Sequence, residues 1–290
     1  LVLDLRDNPG GLLQQAVEVA DHFLKKNQLI VYHYGRSSKE QRYYAVNGNH
    51  SEEYPMVILI NGNTASAAEI VTGALQDHDR GLVMGEPSFG KGLVQTVYPL
   101  SDHAGLALTT ARYYTPSGRL IQRDYSGVSL WDYYNHDDPA SSHPQVRYTD
   151  GGRKVYGGDG ITPDVEFKEP ALNAVQQKLL AHDVFFNFVK EYLSAHNGVS
   201  ANFEPGAAAI KGFQNYLAKQ KVSVSPQEVA QNLDFIKLRI KEEVAGSLSG
   251  EPEADRLSVE NDPLVEKAVE DLPQAAQVVA NARRYMASRQ

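Results

Sequence analysis

The sequence contains no cysteine. A Cys nucleophile, a thiolate zinc site and a disulfide framework are therefore excluded, while the compartment is left open. Long apolar runs are missing too: the best, Met56 to Ile60, is strand length, against the roughly 20 residues that a membrane-spanning helix needs. There is no basic excess either, because 28 Lys and Arg face 36 Asp and Glu for a net charge of -8. That balance gives no electrostatic footprint for nucleic acid or for an anionic membrane. A start Met and a signal peptide are absent, and the opening Leu-Val-Leu-Asp-Leu reads as a fragment or a processed product.

What is present is 290 residues, 42% hydrophobic and 22% charged, enough for one large domain or two ordinary ones around a buried core. Residues 1–170 hold 18 of the 23 Gly and 13 of the 16 Tyr, so this part reads as turns and strands and the remainder as helices. Two units near the start share one layout of apolar strand, tight turn and helical pattern. Leu1 to Leu5 meets Asn8-Pro9-Gly10-Gly11 and then the helical Leu12 to Leu24; Met56 to Ile60 meets Asn61-Gly62-Asn63-Thr64 and a helix from about Ala65 to Gln76. The repeat predicts an α/β fold. Further strands are predicted at Leu82 to Gly85, Leu93 to Leu100 and Leu106 to Tyr114, the last ending at the turn sequence Thr115-Pro116-Ser117-Gly118. Residues 124–160 lack steady periodicity and read as a long surface excursion. From Ala171 onward, Ala171 to His196, Pro226 to Ala245 and Pro263 to Ser288 carry apolar residues three and four apart, as helices do. The expected division is a core at 1–170 and a C-terminal helical region at 171–290.

Ser66 falls at the start of the second helix, where free backbone N–H groups and the positive helix end stabilise developing negative charge. Local sequence alone favours a plainer role for it or for Thr64, that of a helix cap, with Glu69 three residues after Ser66 completing a capping box. To act as a nucleophile a serine needs a base. None of the nine His lies in a triad-like frame, His78 and His103 included, and none shows metal-ligand spacing. Lys91, in Gly85-Glu86-Pro87-Ser88-Phe89-Gly90-Lys91-Gly92, is the sharper candidate. Strand alternation puts it on one face with Leu93 and Gln95, and a desolvated lysine acts as a general base. Taken singly, an exposed loop lysine is the commoner reading, and Asn8-Pro9-Gly10-Gly11 is a plain turn that also bares backbone N–H groups. Gly92 after Lys91 rules out a Walker phosphate loop.

Together these pieces resemble the C-terminal processing peptidases, or tail-specific proteases, which are serine proteases with a Ser-Lys dyad. The resemblance rests on Leu3-Asp4-Leu5-Arg6-Asp7-Asn8-Pro9-Gly10-Gly11, Asn63-Thr64-Ala65-Ser66-Ala67-Ala68-Glu69-Ile70, Gly85 through Gln95, Thr109 through Gly118 and Gly160-Ile161-Thr162-Pro163-Asp164. It implies Ser66 as nucleophile, Lys91 as general base, Gln95 as the residue that positions the lysine, and an oxyanion hole from the backbone N–H groups of Gly10 and Ala67. Asp77 matches an acidic residue with a structural role. The implied fold is a crotonase/Clp-protease-like α/β core of repeated strand-turn-helix units with a C-terminal helical region. The implied activity is endoproteolysis of protein or peptide substrates near apolar C-termini, with no cofactor and no metal. Relatives are usually exported to the periplasm or a lumen, and their C-terminal region supports the core or mediates dimerisation, so a homodimer through the C-terminal helices is a further implication. Relatives also carry upstream strands and a PDZ domain that this chain does not show. An inactive fragment of such a protease and a non-catalytic scaffold on the same fold are the alternatives.

Overall fold

The computed structural model describes residues 1–36, 38–48, 54–125, 145–200 and 202–289. Two compact units are present, Leu1–Lys168 with Lys267–Gln290, and Glu169–Glu266. In chain order the first unit runs β1 (Val2–Asp4), α1 (Leu13–Asp21), β2 (Leu29–Gly35), β3 (Ser38–Tyr44), β4 (Val57–Ile60), α2 (Ala67–Asp77), β5 (Leu82–Gly85), β6 (Leu93–Pro99), β7 (Gly105–Tyr114), β8 (Gln145–Tyr148), β9 (Lys154–Gly157) and β10 (Val165–Glu166).

A parallel sheet in the order β1-β4-β5-β10 forms its centre. Val-Ile-Leu-Ile of β4 and Leu-Val-Met-Gly of β5 are buried at every position, the unbroken apolar run expected of a strand covered on both faces. Ile58 and Ile60 share one core with Ala16, Ala20 and Leu24 of the α1 segment and Ile70, Ala74 and Leu75 of α2. A second sheet, β3-β2-β7-β6, is antiparallel. The fold is mixed α/β, as the two strand-turn-helix units led one to expect.

All eleven residues of α2 are buried, including the polar Gln76 and Asp77 at its end. Buried polar groups need partners. Arg119, 1% exposed like Asp77, donates to Asp77 Oδ1 at 2.6 Å, to Gln76 Oε1 at 2.9 Å and to the Tyr156 carbonyl at 3.1 Å. The Ser117 amide donates to Asp77 Oδ2 at 2.9 Å. Asp77 thus locks the end of the serine helix to the turn after β7, in line with the structural role the resemblance implies. The next residue, His78, hydrogen-bonds Asp150 Oδ2 through Nδ1 and the Leu29 carbonyl through Nε2, both at 2.7 Å. Both partners are acceptors, so the protonated ring, with a donor at each nitrogen, is the form that satisfies both. Burial disfavours that charge, but the hydrogen bond and charge of Asp150 and the bond to Leu29 outweigh it, and the pKa is raised above the usual histidine value.

The second unit is helical: α3 (Ala174–Leu180), α4 (Val184–Ala195), α5 (Ala207–Lys219), α6 (Pro226–Gln231), α7 (Leu233–Ser249), α8 (Glu251–Glu260) and the start of α9 (Pro263–Glu270). Phe185, Phe188, Phe213, Ile236 and Ile240 make its own core. The last helix, α10 (Leu272–Ala287), belongs to the first unit. It packs so closely there that a Cβ at Gly151 would lie 2.7 Å from the Ala282 Cβ.

Several elements depart from the sequence reading. Residues 29–44 form β2 and β3, which had not been anticipated; Ser-Lys-Glu-Gln-Arg-Tyr-Tyr has almost no apolar alternation and owes its extended form to pairing with β2. The stretch taken as an excursion contains the β8-β9 hairpin, while its residues 126–144 lie outside the described ones. The three long helical patterns are each divided, at Asp183 with φ 49°, at Asn232 and at Asp271. α5 and α8 are additional; α8 buries only Leu257 and so shows little pattern.

Asp77→Ala removes one partner of a fully buried pair and leaves the Arg119 charge uncompensated, which costs about 3–5 kcal/mol. Urea unfolding is expected to show a loss in that range, and a loss under about 1 kcal/mol would contradict the role given to Asp77. For His78 the folded pKa is raised above the unfolded value of about 6.5, so its stabilisation is complete below that pH and disappears as pH rises through the folded pKa. The melting temperature is expected to fall as pH rises above about 6.5, and Asp150→Asn is expected to flatten that dependence.

Candidate active site

Two turns that follow parallel strands are stitched together at the head of α2. Asp7, after β1, accepts from the side-chain amides of Asn61 at 3.0 Å and Asn63 at 2.8 Å. Hydrogen bonds from Asn63 and Asn61 hold the Asp7 carboxyl below its ordinary value. Thr64 Oγ1 donates to the Leu5 carbonyl at 2.8 Å, and the Ala65 amide to the Asn8 carbonyl at 2.9 Å. This brings Gly10 against Ser66. At Gly10, with φ +92°, an added Cβ would stand 2.6 Å from both Ala65 O and Ala67 N, so only glycine fits.

Ser66 is half-buried and directly precedes α2, but its backbone, φ 57° and ψ -115°, is not the extended one of an ordinary N-cap. A non-glycine residue held there stores about 1–3 kcal/mol of strain, which persists only where surrounding structure enforces it. Glu69 supplies the enforcement. Its side chain is wholly buried and accepts four hydrogen bonds: Oε2 from the amides of Ser66 and Lys91, each 2.8 Å, and Oε1 from Ser88 Oγ at 2.6 Å and the Gly90 amide at 2.7 Å. Burial pushes the Glu69 carboxyl up from its ordinary value, opposed by the bonds from Ser88, Lys91, Gly90 and Ser66. Three of those partners are backbone N–H groups that only donate, and Ser88 Oγ already accepts from the Ile161 amide at 2.7 Å. The carboxylate is the form these donors satisfy. Glu69 is therefore more than half of a capping box: one oxygen spans from the serine turn to the lysine loop. The S-x-x-E spacing signals the first of these contacts, and the other three, 19 to 22 residues away, have no local signature.

The side chains implied as the dyad are not joined in the described structure. Lys91 lies two residues before β6, and both Lys91 and Gln95 are exposed. The Gly90 and Lys91 amides face Glu69, and the lysine side chain faces solvent instead of the apolar surface that alternation had suggested. A register shift between Val94 and Gln95 also interrupts that alternation. Among the described residues no hydrogen bond links Lys91 to Ser66 or Gln95 to Lys91. Of the two implied oxyanion donors, the Gly10 N–H donates to Asn8 Oδ1 at 2.9 Å, whereas the N–H groups of Ala67 and the neighbouring Gly11 have no partner among the described residues. The arrangement assembles a strained serine, a helix N-terminus with open donors and a backbone-fixed lysine loop. Among the described residues no cluster of His, Asp or Glu is suited to hold a metal, and no helix is long and apolar enough to cross a membrane.

Known proteins share sequence with the first part of the chain. The Carboxy-terminal-processing protease of Bartonella bacilliformis is 53% identical over 121 residues, 42% of this chain and 28% of that protein. The Carboxyl-terminal-processing protease of Synechocystis is 48% identical over 122 residues, again 42% and 28%. The chain therefore spans little more than a quarter of the length of these relatives. Among solved structures, a photosystem II D1 C-terminal processing protease is 35% identical, with 58% of this chain and 34% of that one covered and a TM-score of 0.43. Residues 1–129 match the sequence pattern of Peptidase family S41.

Proposed function

We propose that the protein is a serine endopeptidase of the C-terminal processing type, in which Ser66 forms an acyl-enzyme and Lys91 is the general base. The observation that carries the reading is the single Glu69 oxygen bound by the Ser66 and Lys91 amides, which keeps nucleophile turn and base loop side by side. In acylation, the Lys91 amine takes the Ser66 hydroxyl proton as Oγ bonds the peptide carbonyl carbon. The oxyanion is met by the Ala67 N–H at the start of α2 and by the Gly10 N–H once the Asn8 side chain gives way. The lysine then protonates the departing amine, and water, activated by the same lysine, hydrolyses the ester. Gln95 is assigned to orienting the lysine when its side chain turns from solvent toward Ser66.

The substrates proposed are protein chains cut near apolar C-termini. Relatives include bacterial and chloroplastic processing proteases, and we assign this protein to an exported compartment such as the periplasm and to a homodimer through its C-terminal helices. Light scattering tests the dimer, and a mass of one chain would sink it; cell fractionation tests the compartment, and recovery in the cytosol would sink that.

One observation favours a second reading, a non-catalytic binding protein on the same fold: Lys91 is exposed and unbonded to Ser66. Proteolysis of an unfolded protein separates the two. Ser66→Ala and Lys91→Ala are each expected to lower the rate by at least about a hundredfold, since members of a catalytic unit cost orders of magnitude when removed. Rates within about twofold of the parent would refute the dyad.

A further inference from the structure

The antiparallel sheet turns one face away from the core, and that face carries a cluster of side chains that the proposed reaction does not use. Residues directly opposite each other on paired strands share a face. Tyr32 of β2 is opposite Arg42 of β3 and Tyr114 of β7, and Tyr34 of β2 is opposite Arg112 of β7. His33 and its partner Tyr113 take the other face, where Tyr113 packs against the buried core. Tyr32, Tyr34 and Tyr114 therefore point outward, and their rings stack, with centroids 5.2 Å apart for Tyr32 and Tyr114 and 4.7 Å for Tyr34 and Tyr114. We propose that this face docks an extended, acidic segment of a protein chain, whose carboxylates meet Arg112 and Arg147 while its backbone lies along the three tyrosines. The proposal goes beyond the peptidase reading and does not depend on it.

Charge complementarity carries the choice of partner. Arg42 lies over the Tyr32 ring at 5.3 Å and is answered by Glu40 at 2.5 Å. Arg112 and Arg147 have no carboxylate partner among the described residues; Arg147 donates to the carbonyl of its neighbour Val146 at 3.3 Å. A Cβ on Gly118 would stand 3.5 Å from both Arg147 Nε and the Tyr32 hydroxyl, which sets Arg147 at one end of the tyrosine row. Arg112, opposite Tyr34, stands at the other. Three guanidinium groups and one carboxylate thus frame the rings, on a chain whose net charge is -8. The face has the opposite sign to the whole molecule, and that is a selection for an acidic partner.

The side-chain types decide the rest. A guanidinium group takes a carboxylate through two parallel hydrogen bonds, and tyrosine offers a stiff apolar ring with a hydroxyl at its tip, which is why both are enriched at protein interfaces. Tyr34 is 44% exposed and Arg112 is exposed, so ring edges and charge are left in water. Arg112 and Tyr114 are two residues apart on β7, about 7 Å along the strand, and an extended chain repeats its side chains on one face at that same interval. An acidic residue at every second position therefore meets the face in step. A nucleic-acid strand is anionic as well, but its continuous charge is repelled by the acidic remainder of the molecule, whereas a short acidic segment meets only this face.

The test uses the whole chain and the fluorescence anisotropy of a labelled peptide in which Glu alternates with Ser, set against the same peptide with Gln in place of every Glu. The Glu peptide is expected to bind at least about tenfold more tightly at low salt, and about 0.5 M NaCl is expected to remove most of that difference. Arg112→Gln and Tyr34→Ala, each with an unchanged circular dichroism spectrum, are expected to weaken the Glu peptide by about fivefold or more, the scale for a charged hydrogen bond or a central aromatic contact. Lys211→Gln, the same loss of charge at an exposed position on α5, is expected to leave binding within about twofold. Equal binding of the Glu and Gln peptides, no binding up to about 1 mM, or binding that neither Arg112→Gln nor Tyr34→Ala weakens would overturn the proposal. A single-stranded oligonucleotide that binds as tightly as the Glu peptide, and that Arg112→Gln weakens equally, would also overturn it, by making the face a general polyanion surface. Self-association of the chain that Arg112→Gln abolishes, with no peptide bound, would give the face to a second copy instead.

Discussion

One buried carboxylate holds the candidate site together. Glu69 has no access to water, and its four hydrogen bonds come from three separate places in the sequence: its own helix start, the Ser88 hydroxyl, and the Gly90-Lys91 backbone. Burial alone would make such a group expensive. Here each oxygen receives two donors, and the same bonds fix the backbone on both sides of the proposed reaction. Strain at Ser66 is thereby offset locally, by the helix that the serine begins.

The rest of the first unit keeps that carboxylate in place. Parallel β1 and β4 set two turns side by side, and Asp7, Asn61, Asn63 and Thr64 cross-link them so that Gly10 rests against the serine turn. Total burial of α2 allows no slippage of its first residue, and the Asp77-Arg119 pair with the His78 contacts anchors its far end. Because α1 leaves the Gly10-Gly11 turn and lies against α2, the groove between these helices opens beside Gly10, Gly11 and Ala67.

How much of this the sequence disclosed depends on the range of the interaction. Strand, turn and helix were legible at β1-α1 and β4-α2 because apolar runs, Gly-Asn turns and helical spacing are local signals. β3 was not, since its polar residues are extended by a neighbour and not by their own pattern, and the hairpin β8-β9 lies in a Gly- and Asp-rich stretch without a long period. In the site, Ser66, Lys91 and Gly10 could be singled out from motif order. The place of Lys91 in solvent could not, because it follows from Glu69 taking the amides of Gly90 and Lys91 across more than 20 residues. The engagement of the Gly10 N–H by Asn8 was equally hidden, though only two residues separate them, because it depends on a side-chain rotation.

Amide hydrogen exchange, compared between the parent protein and Glu69→Gln, addresses the central role of this carboxylate most directly. The account predicts that the Ser66, Gly90 and Lys91 amides exchange slowly and with a common protection factor in the parent, and that Glu69→Gln, whose one carbonyl oxygen serves only one pair of donors while its NH2 meets the other, loses protection at Ser66 and Lys91 together or at Gly90. Independent exchange of the three in the parent, or protection that survives at all three in Glu69→Gln, would contradict it.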